Sequence, residues 1–462
     1  MNKHQHFHFM GIAGIGMSAI ALVLRKRGFT VSGCDLDITT SNCKNLTELG
    51  CKLFQGHTSS GCSDDSITTL VYTTMIDPHH PELLAAQSKG ISCLHRSEAL
   101  GLLTQSSTTI AVAGSHGKTT TSALISHLFV AADRDPSVII GGNLSTISGN
   151  ACNGSSEALI IEADESDRSF LNFSPTYEII TNIDFEHLET YKNIQDVQNT
   201  FYEFMQKVPS HGAIITCHDE PYIRELLPQL SCPIITYGYH PEATWRIVDD
   251  TLNANSSTFS LVHNNDKQYT RILTALAGRH NILNSTAAWA MGYRYGLTET
   301  ELRKGLETFP GVERRFSYKG VTKAHAQVFD DYGHHPKEIA ATLQIAYNKP
   351  HNRLIVVFQP HRYTRTAGLW NDFLDLFAQS SIHELIVTDI HSAYEKPIDN
   401  INSEQFVNEL KMRNPHLHVS YIPLESDFHS LVTKIGNCSQ ENDLILLQGA
   451  GKITSLAEKI VA

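Results

Sequence analysis

No apolar run in this chain approaches the roughly 20 residues that a bilayer-spanning helix needs, so membrane insertion is not expected. No C-x-x-C pair occurs among the nine cysteines, which are scattered and odd in number. That usage argues against a disulfide framework and against a zinc site, and it suits a reducing cytoplasm. Positive charge is also scarce. Lys and Arg total 36 against 48 Asp and Glu, a formal net charge of −12. Without a bulk basic field, nucleic acid is not an expected partner. An anionic substrate must then be held by local basic groups and helix ends. The N-terminal run from Met1 to His8 passes straight into a strand-like pattern. It lacks an apolar stretch followed by a small-residue cleavage site, so a secretory signal is not expected. No internal repeat or low-complexity tract is visible.

What is present is the composition of a soluble globular protein, with 41% apolar and 18% charged residues. At roughly 100–200 residues per domain, 462 residues suggest two to four domains. The 25 histidines read mostly as surface or strand residues. His4, His6 and His8 alternate like a metal comb, but period two is what a half-exposed strand produces.

Short apolar strands alternate with helical stretches, which predicts an α/β protein with parallel sheets. Three sections are expected, at 1–106, 107–309 and 310–462. In the first, a strand from Phe7 to Met10 leads into a glycine turn, then a helix from Ser18 that Gly28 ends. A second strand runs from Thr30 to Cys34. In the second section, a strand from Thr109 to Ala113 feeds a glycine loop and a helix from Thr119 to Ala131. Strands from Ala158 to Ile161 and from Glu178 to Ile183 follow. The third has strands from Ala326 to Phe329, Leu354 to Phe358, Leu385 to Asp389 and Asp443 to Leu447. Polar residues gather where strands end, the edge at which open α/β sheets bind ligands.

Gly114-Ser115-His116-Gly117-Lys118-Thr119-Thr120 follows a strand and opens a helix. Glycines let backbone N–H groups converge on one anion, and the helix start adds partial positive charge. Lys118 can reach terminal phosphates and the Thr119 hydroxyl can ligate Mg²⁺. The usual phosphate loop has glycine where Val112 stands, so the match is to a shorter G-x-x-G-K-T form.

Gly11-Ile12-Ala13-Gly14-Ile15-Gly16 also lies between a strand and a helix, with Asp35 ending the next strand. Such a turn lets a diphosphate approach the backbone while the acid binds ribose hydroxyls. NAD, a UDP diphosphate and a tight turn with no ligand all satisfy this motif. Downstream, Glu162-Ala163-Asp164-Glu165-Ser166-Asp167 places four acids at a strand end, with Glu162 the best Mg²⁺ candidate. His187, after the next strand, is a candidate for a second Mg²⁺, although histidine is an uncommon ligand for so hard an ion.

The phosphate loop, the acidic run, Asn182 to His187, and Gly278-Arg279-His280-Asn281 occur in the order and spacing of the Mur ligases, which this chain resembles along its whole length. Asp330-Asp331-Tyr332-Gly333-His334-His335-Pro336 and Phe358-Gln359-Pro360-His361-Arg362-Tyr363-Thr364-Arg365-Thr366 are similar to the alanine-adding branch. The resemblance implies three domains: Rossmann-like, P-loop ATPase-like and Rossmann-like. It implies that L-alanine is joined to the carboxylate of UDP-N-acetylmuramate through an acyl phosphate, with ATP as co-substrate and two Mg²⁺ ions. Peptidoglycan precursor synthesis in the cytoplasm, by a monomer or weak homodimer, would be the setting. The nearest alternative adds a tripeptide to the same sugar.

Residue by residue, the resemblance puts Lys118, His187 and His334 in catalysis. It puts Gly114, Ser115, His116, Gly117, Lys118, Thr119 and Thr120 around the ATP phosphates. Asn281 would meet adenine, Arg314 or Arg315 a phosphate, and Asp331 the ribose. Thr119, Glu162 and His187 would serve metal. Gly11, Ala13, Gly14, Ile15, Gly16, Asp35, His57 and Arg96 would hold the UDP-sugar. Tyr332 and His334 would shape the alanine pocket. Arg362 and Arg365, three apart, would hold its carboxylate from one side of a helical turn. Where several sister ligases carry a metal-bridging carbamylated lysine, this chain has about Tyr202, so no carbamate is expected. The position after Gly11 also departs from the commoner all-glycine form.

Overall fold

The computed structural model describes residues 5–57, 64–187, 189–264 and 269–462; His4 lies outside them. Three sheets account for its strands. The first has five parallel strands in the order Lys52–Gln55, Thr30–Asp35, His6–Met10, Thr69–Tyr72 and Ser92–His95. The strand order reverses direction between His6–Met10 and Thr69–Tyr72, and the glycine turn sits at that switch point, where such sheets open a crevice. Side chains alternate: Phe7 and Phe9 join one apolar core, and Met10 joins a small cluster on the opposite face.

The central sheet has ten strands. Its middle is parallel, in the order Ile234–Gly238, Ala213–Cys217, Tyr177–Ile180, Thr108–Ala113, Ala158–Glu162 and Ser137–Leu144. Antiparallel pairs finish both edges. Burial on both faces explains the continuous apolar run of Thr108–Ala113. Ile110 and Val112 enter one core, Ala111 and Ala113 the other. The third sheet runs Ser317–Val321, Gln327–Asp331, Leu444–Gln448, Leu354–Phe358, Glu384–Val387 and His418–Tyr421, parallel except for its first strand.

The expected strands are present with shifted ends. Asp330 and Asp331 lie inside their strand rather than beyond it, because pairing with the neighbouring strand continues to Asp331 opposite Gln448. The strand expected to reach Ile183 stops at Ile180, and the freed segment turns onto the phosphate loop. The first helix begins at Ile15, three residues early, directly from the glycine turn.

The apolar cores are shared unequally. One cluster runs from Phe7, Ala19 and Val23 through Ile139, Ala151 and Phe170, fusing the first section to the central one. The third sheet has separate cores on its two faces, around Leu354, Val356 and Phe358 and around Ile355 and Val357.

Candidate active site

The phosphate loop is held rigid by the segment that follows Tyr177–Ile180. The backbone N–H of His116 donates to Asn182 Oδ1 at 2.8 Å, and Asn182 Nδ2 donates to the His116 carbonyl at 3.0 Å. The Thr181 hydroxyl donates to the same carbonyl at 2.6 Å, and the Asp184 N–H donates to Ser115 Oγ at 2.8 Å. Gly117 has φ +81°, and a Cβ there would lie 2.7 Å from Asn284 Oδ1, so only glycine suits the position. The helix Lys118–Ala131 that follows has no side-chain cap, which leaves its first N–H groups directed to the loop cavity.

Lys118 is largely buried. Its Nζ donates to the carbonyls of Gly114 at 2.6 Å and Ser115 at 3.1 Å, and to Glu165 Oε1 at 2.9 Å. Burial opposes its charge, but Glu165, Asp164 and Glu162 outweigh burial and raise its pKa. The Thr119 hydroxyl donates to Glu162 Oε1 at 3.0 Å, and the Gly141 N–H donates to Glu162 Oε2 at 2.8 Å. Burial pushes the Glu162 carboxyl above its ordinary value. His187 lies nearby with φ +55°, its Nε2 3.4 Å from Glu165 Oε1. Burial opposes its protonation, yet Glu165 and Glu189 raise its pKa to about 9.

A cavity of ≈ 300 Å³ lies between the loop and the third section. Gly117, Thr120 and Asn281 line its central side, and Arg315, Asp331 and Lys337 its far side. Arg315, not Arg314, reaches the phosphate loop: its Nη2 donates to Thr119 Oγ1 at 3.2 Å. Arg314 donates instead to the carbonyls of Gly449 at 2.8 Å and Gly451 at 3.3 Å. Both guanidiniums lie over the Tyr332 ring, 4.7 and 5.2 Å from its centroid. Asp331 is buried and accepts from the Phe316 N–H, the Gly333 N–H, the Thr342 hydroxyl and Gln448 Nε2. It therefore organises the cavity wall as well as lining it.

One cluster across this boundary escaped sequence reasoning. His116 Nε2 lies 3.4 Å from Asp184 and 3.2 Å from Glu186, and its Nδ1 lies 3.6 Å from Glu338. Burial opposes the charge, but these carboxylates raise the His116 pKa to about 10. Lys337 pairs with Asp184 alongside. His116, Asp184, Glu186 and His335 also offer ligand atoms that all lie within 4.8 Å of one another. Only the adjacency of His116 to Lys118 hinted at it in the chain; the acids come from two other segments, Asp184 with Glu186 and Glu338.

A smaller pocket is lined by Phe185, His187, His335, Arg362, Arg365 and Leu369, among others. Both predicted arginines reach it, but not from one helical turn. Arg362 precedes the helix Tyr363–Gly368 with φ +68° and donates to Glu189 Oε1 at 2.7 Å. Arg365 is inside the helix, with Nη1 3.0 Å from His361 Nδ1. His334 and Tyr332 are not in its lining; the His334 ring lies 5.5 Å from that of His361, whose Nδ1 contacts Arg365. Burial lowers the His334 pKa to about 3, so its ring is neutral. His335 lines the pocket and caps the helix Pro336–Tyr347.

In the first section, the Ala13 N–H donates to Asp35 Oδ2 at 2.9 Å, which fixes the glycine turn to the second strand. A Cβ on Gly16 would lie 2.9 Å from Arg96 Nη1, so the Arg96 guanidinium lies across the turn. His57 Nδ1 lies 3.1 Å from Cys34 Sγ on the same edge. Gly11, Gly14 and Ile15 complete the turn, and Ile15 is exposed. Tyr202 is remote from all of this, its hydroxyl donating to the Gln229 carbonyl at 3.3 Å.

Comparison with known proteins decides the family. Three family models match consecutive stretches: "Mur ligase family, catalytic domain" over 6–108, "Mur ligase middle domain" over 112–292 and "Mur ligase, glutamate ligase domain" over 314–451. The chain belongs to the Mur ligase family. A relative from Syntrophus aciditrophicus, named UDP-N-acetylmuramate–L-alanine ligase, is 39% identical, covering 100% of this chain and 94% of that protein. One of the same name from Bdellovibrio bacteriovorus is 39% identical over 97% of this chain and 96% of its own. Among solved Mur ligases, the UDP-N-acetylmuramate-alanine ligase of Thermotoga maritima matches with a TM-score of 0.80 at 27% identity, covering 99% of this chain and 98% of that one. A murein peptide ligase from Psychrobacter arcticus shares the fold, with a TM-score of 0.73 at 22% identity over 99% of this chain and 100% of that one.

Proposed function

We propose that this Mur ligase joins L-alanine to the carboxylate of UDP-N-acetylmuramate, converting ATP to ADP and phosphate in peptidoglycan precursor synthesis. Full-length relatives of that name support the reading. The observation that carries it is the convergence of Lys118, Thr119, Glu162 and Arg315 beside a cavity that the central and third sections share.

A carboxylate and an amine do not condense in neutral water without activation. A muramate carboxylate oxygen attacks the γ-phosphorus of ATP, and ADP leaves. The alanine amine then attacks the acyl carbon, phosphate leaves and the amine gives up a proton. The protein positions the reactants and neutralises charge. Lys118 and the helix start face the transferring phosphoryl group, with Arg315 in the role that Arg314 was expected to hold. Gly114, Ser115, His116, Gly117 and Thr120 cradle the other phosphates. Asn281 meets the base, and Asp331 the ribose. The Gly11–Gly16 turn, Asp35, His57 and Arg96 hold the UDP-sugar. Arg362 and Arg365 take the alanine carboxylate, with Tyr332 and His334 supporting that pocket. The acyl phosphate hydrolyses readily, so the third section must exclude water as it closes on the cavity.

The donor set suits Mg²⁺. Thr119 Oγ1 and Glu162 Oε1, 3.0 Å apart, would both offer it oxygen ligands. Adjacent ligands of an octahedral Mg²⁺ with bonds of 2.0–2.1 Å lie about 2.9 Å apart. A second ion would use His187, which must first lose the proton its carboxylate neighbours stabilise. When bound, Mg²⁺ supplies neutralisation of phosphate charge. We place the enzyme in the cytoplasm as a monomer or weak homodimer. Eight free cysteines among the described residues favour a reducing compartment.

The test is phosphate release from ATP and Mg²⁺ with UDP-N-acetylmuramate and a panel of acceptors. Release should require the sugar nucleotide and an amino acid, with L-alanine preferred. A preference for a tripeptide over L-alanine would overturn the reading.

A further inference from the structure

The first sheet carries a second polar centre that phosphoryl transfer does not use. It lies on the face opposite Phe7 and Phe9, under the helix Pro81–Ser88. His8 from the first strand, Cys34 from the second and Glu82 from that helix converge there, and all three are wholly buried. His8 Nε2 lies 3.1 Å from Glu82 Oε1. Cys34 Sγ lies 3.4 and 3.3 Å from the two Glu82 oxygens. The three ligand atoms are all within 4.8 Å of one another. His57, only partly buried, approaches from the open side, its Nδ1 3.1 Å from Cys34 Sγ.

We propose that His8, Cys34 and Glu82 form a binding site for a zinc-class divalent cation, with the fourth position open on the His57 side. Zinc takes four ligands from sulfur, imidazole nitrogen and carboxylate oxygen at about 2.0–2.3 Å. Tetrahedral geometry at those lengths puts neighbouring ligand atoms about 3.3–3.8 Å apart. The His8–Glu82 separation of 3.1 Å falls just short of that range, and the Cys34–Glu82 separations of 3.3 and 3.4 Å lie at its lower end. An ion enters by replacing the shared protons, and the Cys34 thiol loses its proton to solvent. A thiolate in the set selects against Mg²⁺ and Ca²⁺, which take oxygen ligands.

The surroundings resemble the outer partners that orient a metal-bound histidine. His8 Nδ1 is hydrogen-bonded to Ser32 Oγ at 2.8 Å, Ser32 Oγ to His6 Nε2 at 2.8 Å, and His6 Nδ1 to Ser66 Oγ at 2.8 Å. This chain fixes the His8 ring with Nε2 aimed at Glu82 and Cys34. It also gives His6 an orienting place rather than a ligand's. The alternation in the N-terminal sequence thus yields one ligand; the rest come from segments far along the chain.

The experiment titrates metal-free, full-length protein with Co²⁺. We expect a thiolate-to-cobalt charge-transfer band and tetrahedral ligand-field bands at one equivalent per chain. Stoichiometric Zn²⁺ should abolish them, and excess Mg²⁺ should not. Cys34→Ser should lose the charge-transfer band, and His218→Ala, in the separate His218–His240–Glu242 cluster, should keep it. Zn²⁺ should also raise the melting temperature of the wild-type protein, with the rise lost in Glu82→Gln and in His8→Ala. These two variants keep the proposal testable if Cys34→Ser does not fold. No band in the wild-type protein, a band that persists in Cys34→Ser, or an equal Zn²⁺ stabilisation of Glu82→Gln would overturn it.

Discussion

The Arg315 guanidinium donates to the Thr119 hydroxyl at 3.2 Å, joining the third section to the first turn of the phosphate-loop helix. Its neighbour Arg314 faces the other way, onto the Gly449 and Gly451 carbonyls. Arg315→Ala should therefore lower ATP-dependent phosphate release by about 10²–10³-fold, as loss of a transition-state donor does. Arg314→Ala should act mainly by lowering the melting temperature. Equal kinetic losses in the two variants would break the distinction.

Lys118→Ala should lower ADP release dependent on muramate and alanine by orders of magnitude. Far-UV circular dichroism should not change, because the loop is held chiefly by Thr181, Asn182 and Ser115. An unchanged rate would remove Lys118 from phosphoryl transfer.

The His116 pKa rises from 6.5 to about 10 in the folded protein. The folded state thus holds a proton that the unfolded chain releases above about pH 6.5. The resulting stability is fully present below that value and is lost as pH rises through about 10. The melting temperature of the wild-type protein should fall across this window more than that of His116→Gln, by at least about 3 °C. Parallel pH profiles would show that the Asp184, Glu186 and Glu338 contacts stabilise nothing.

Glu178 is wholly buried in a central strand, and neither carboxylate oxygen has a hydrogen-bond partner among the described residues. Burial raises its pKa well above 4.5, so the folded state binds a proton that the unfolded chain sheds. That costs stability increasingly as pH rises from 4.5. Glu178→Gln should stabilise the protein by about 1–3 kcal/mol at pH 8, with a smaller gain near pH 5. Denaturant titrations at both values provide the check. A gain independent of pH would mean the carboxyl is not the cause.

The sequence made the local chemistry legible and left the long-range pairing hidden. Lys118 and Thr119 were readable because a phosphate loop is built from neighbours, with strand, glycines and helix in one stretch. Arg314 and Arg315 were not separable, since one step in the backbone decides which guanidinium faces Thr119. Asp331 was recognisable as a site residue, but its hold on Phe316, Thr342 and Gln448 depends on a strand pairing more than a hundred residues away. The three sheets followed from alternating strands and helices. Strand ends did not, because pairing partners rather than composition set where Gln327–Asp331 stops. Glu178 gave no warning: one acid in an apolar strand looks like an exposed position. His8 and Glu82 could not have been paired from their spacing.

The fused core of the first two sections has a mechanical consequence. Phe309 and Val312 still belong to a central core, and Phe316 already packs on the third. Three residues, 313–315, therefore connect a large two-sheet block to a smaller one that meets it through charged side chains such as Lys337, Arg362 and Arg315. The molecule should behave as two rigid bodies rather than three, swivelling at that short joint. High ionic strength would loosen the swivel without softening either body, and heating would melt the smaller block separately from the larger.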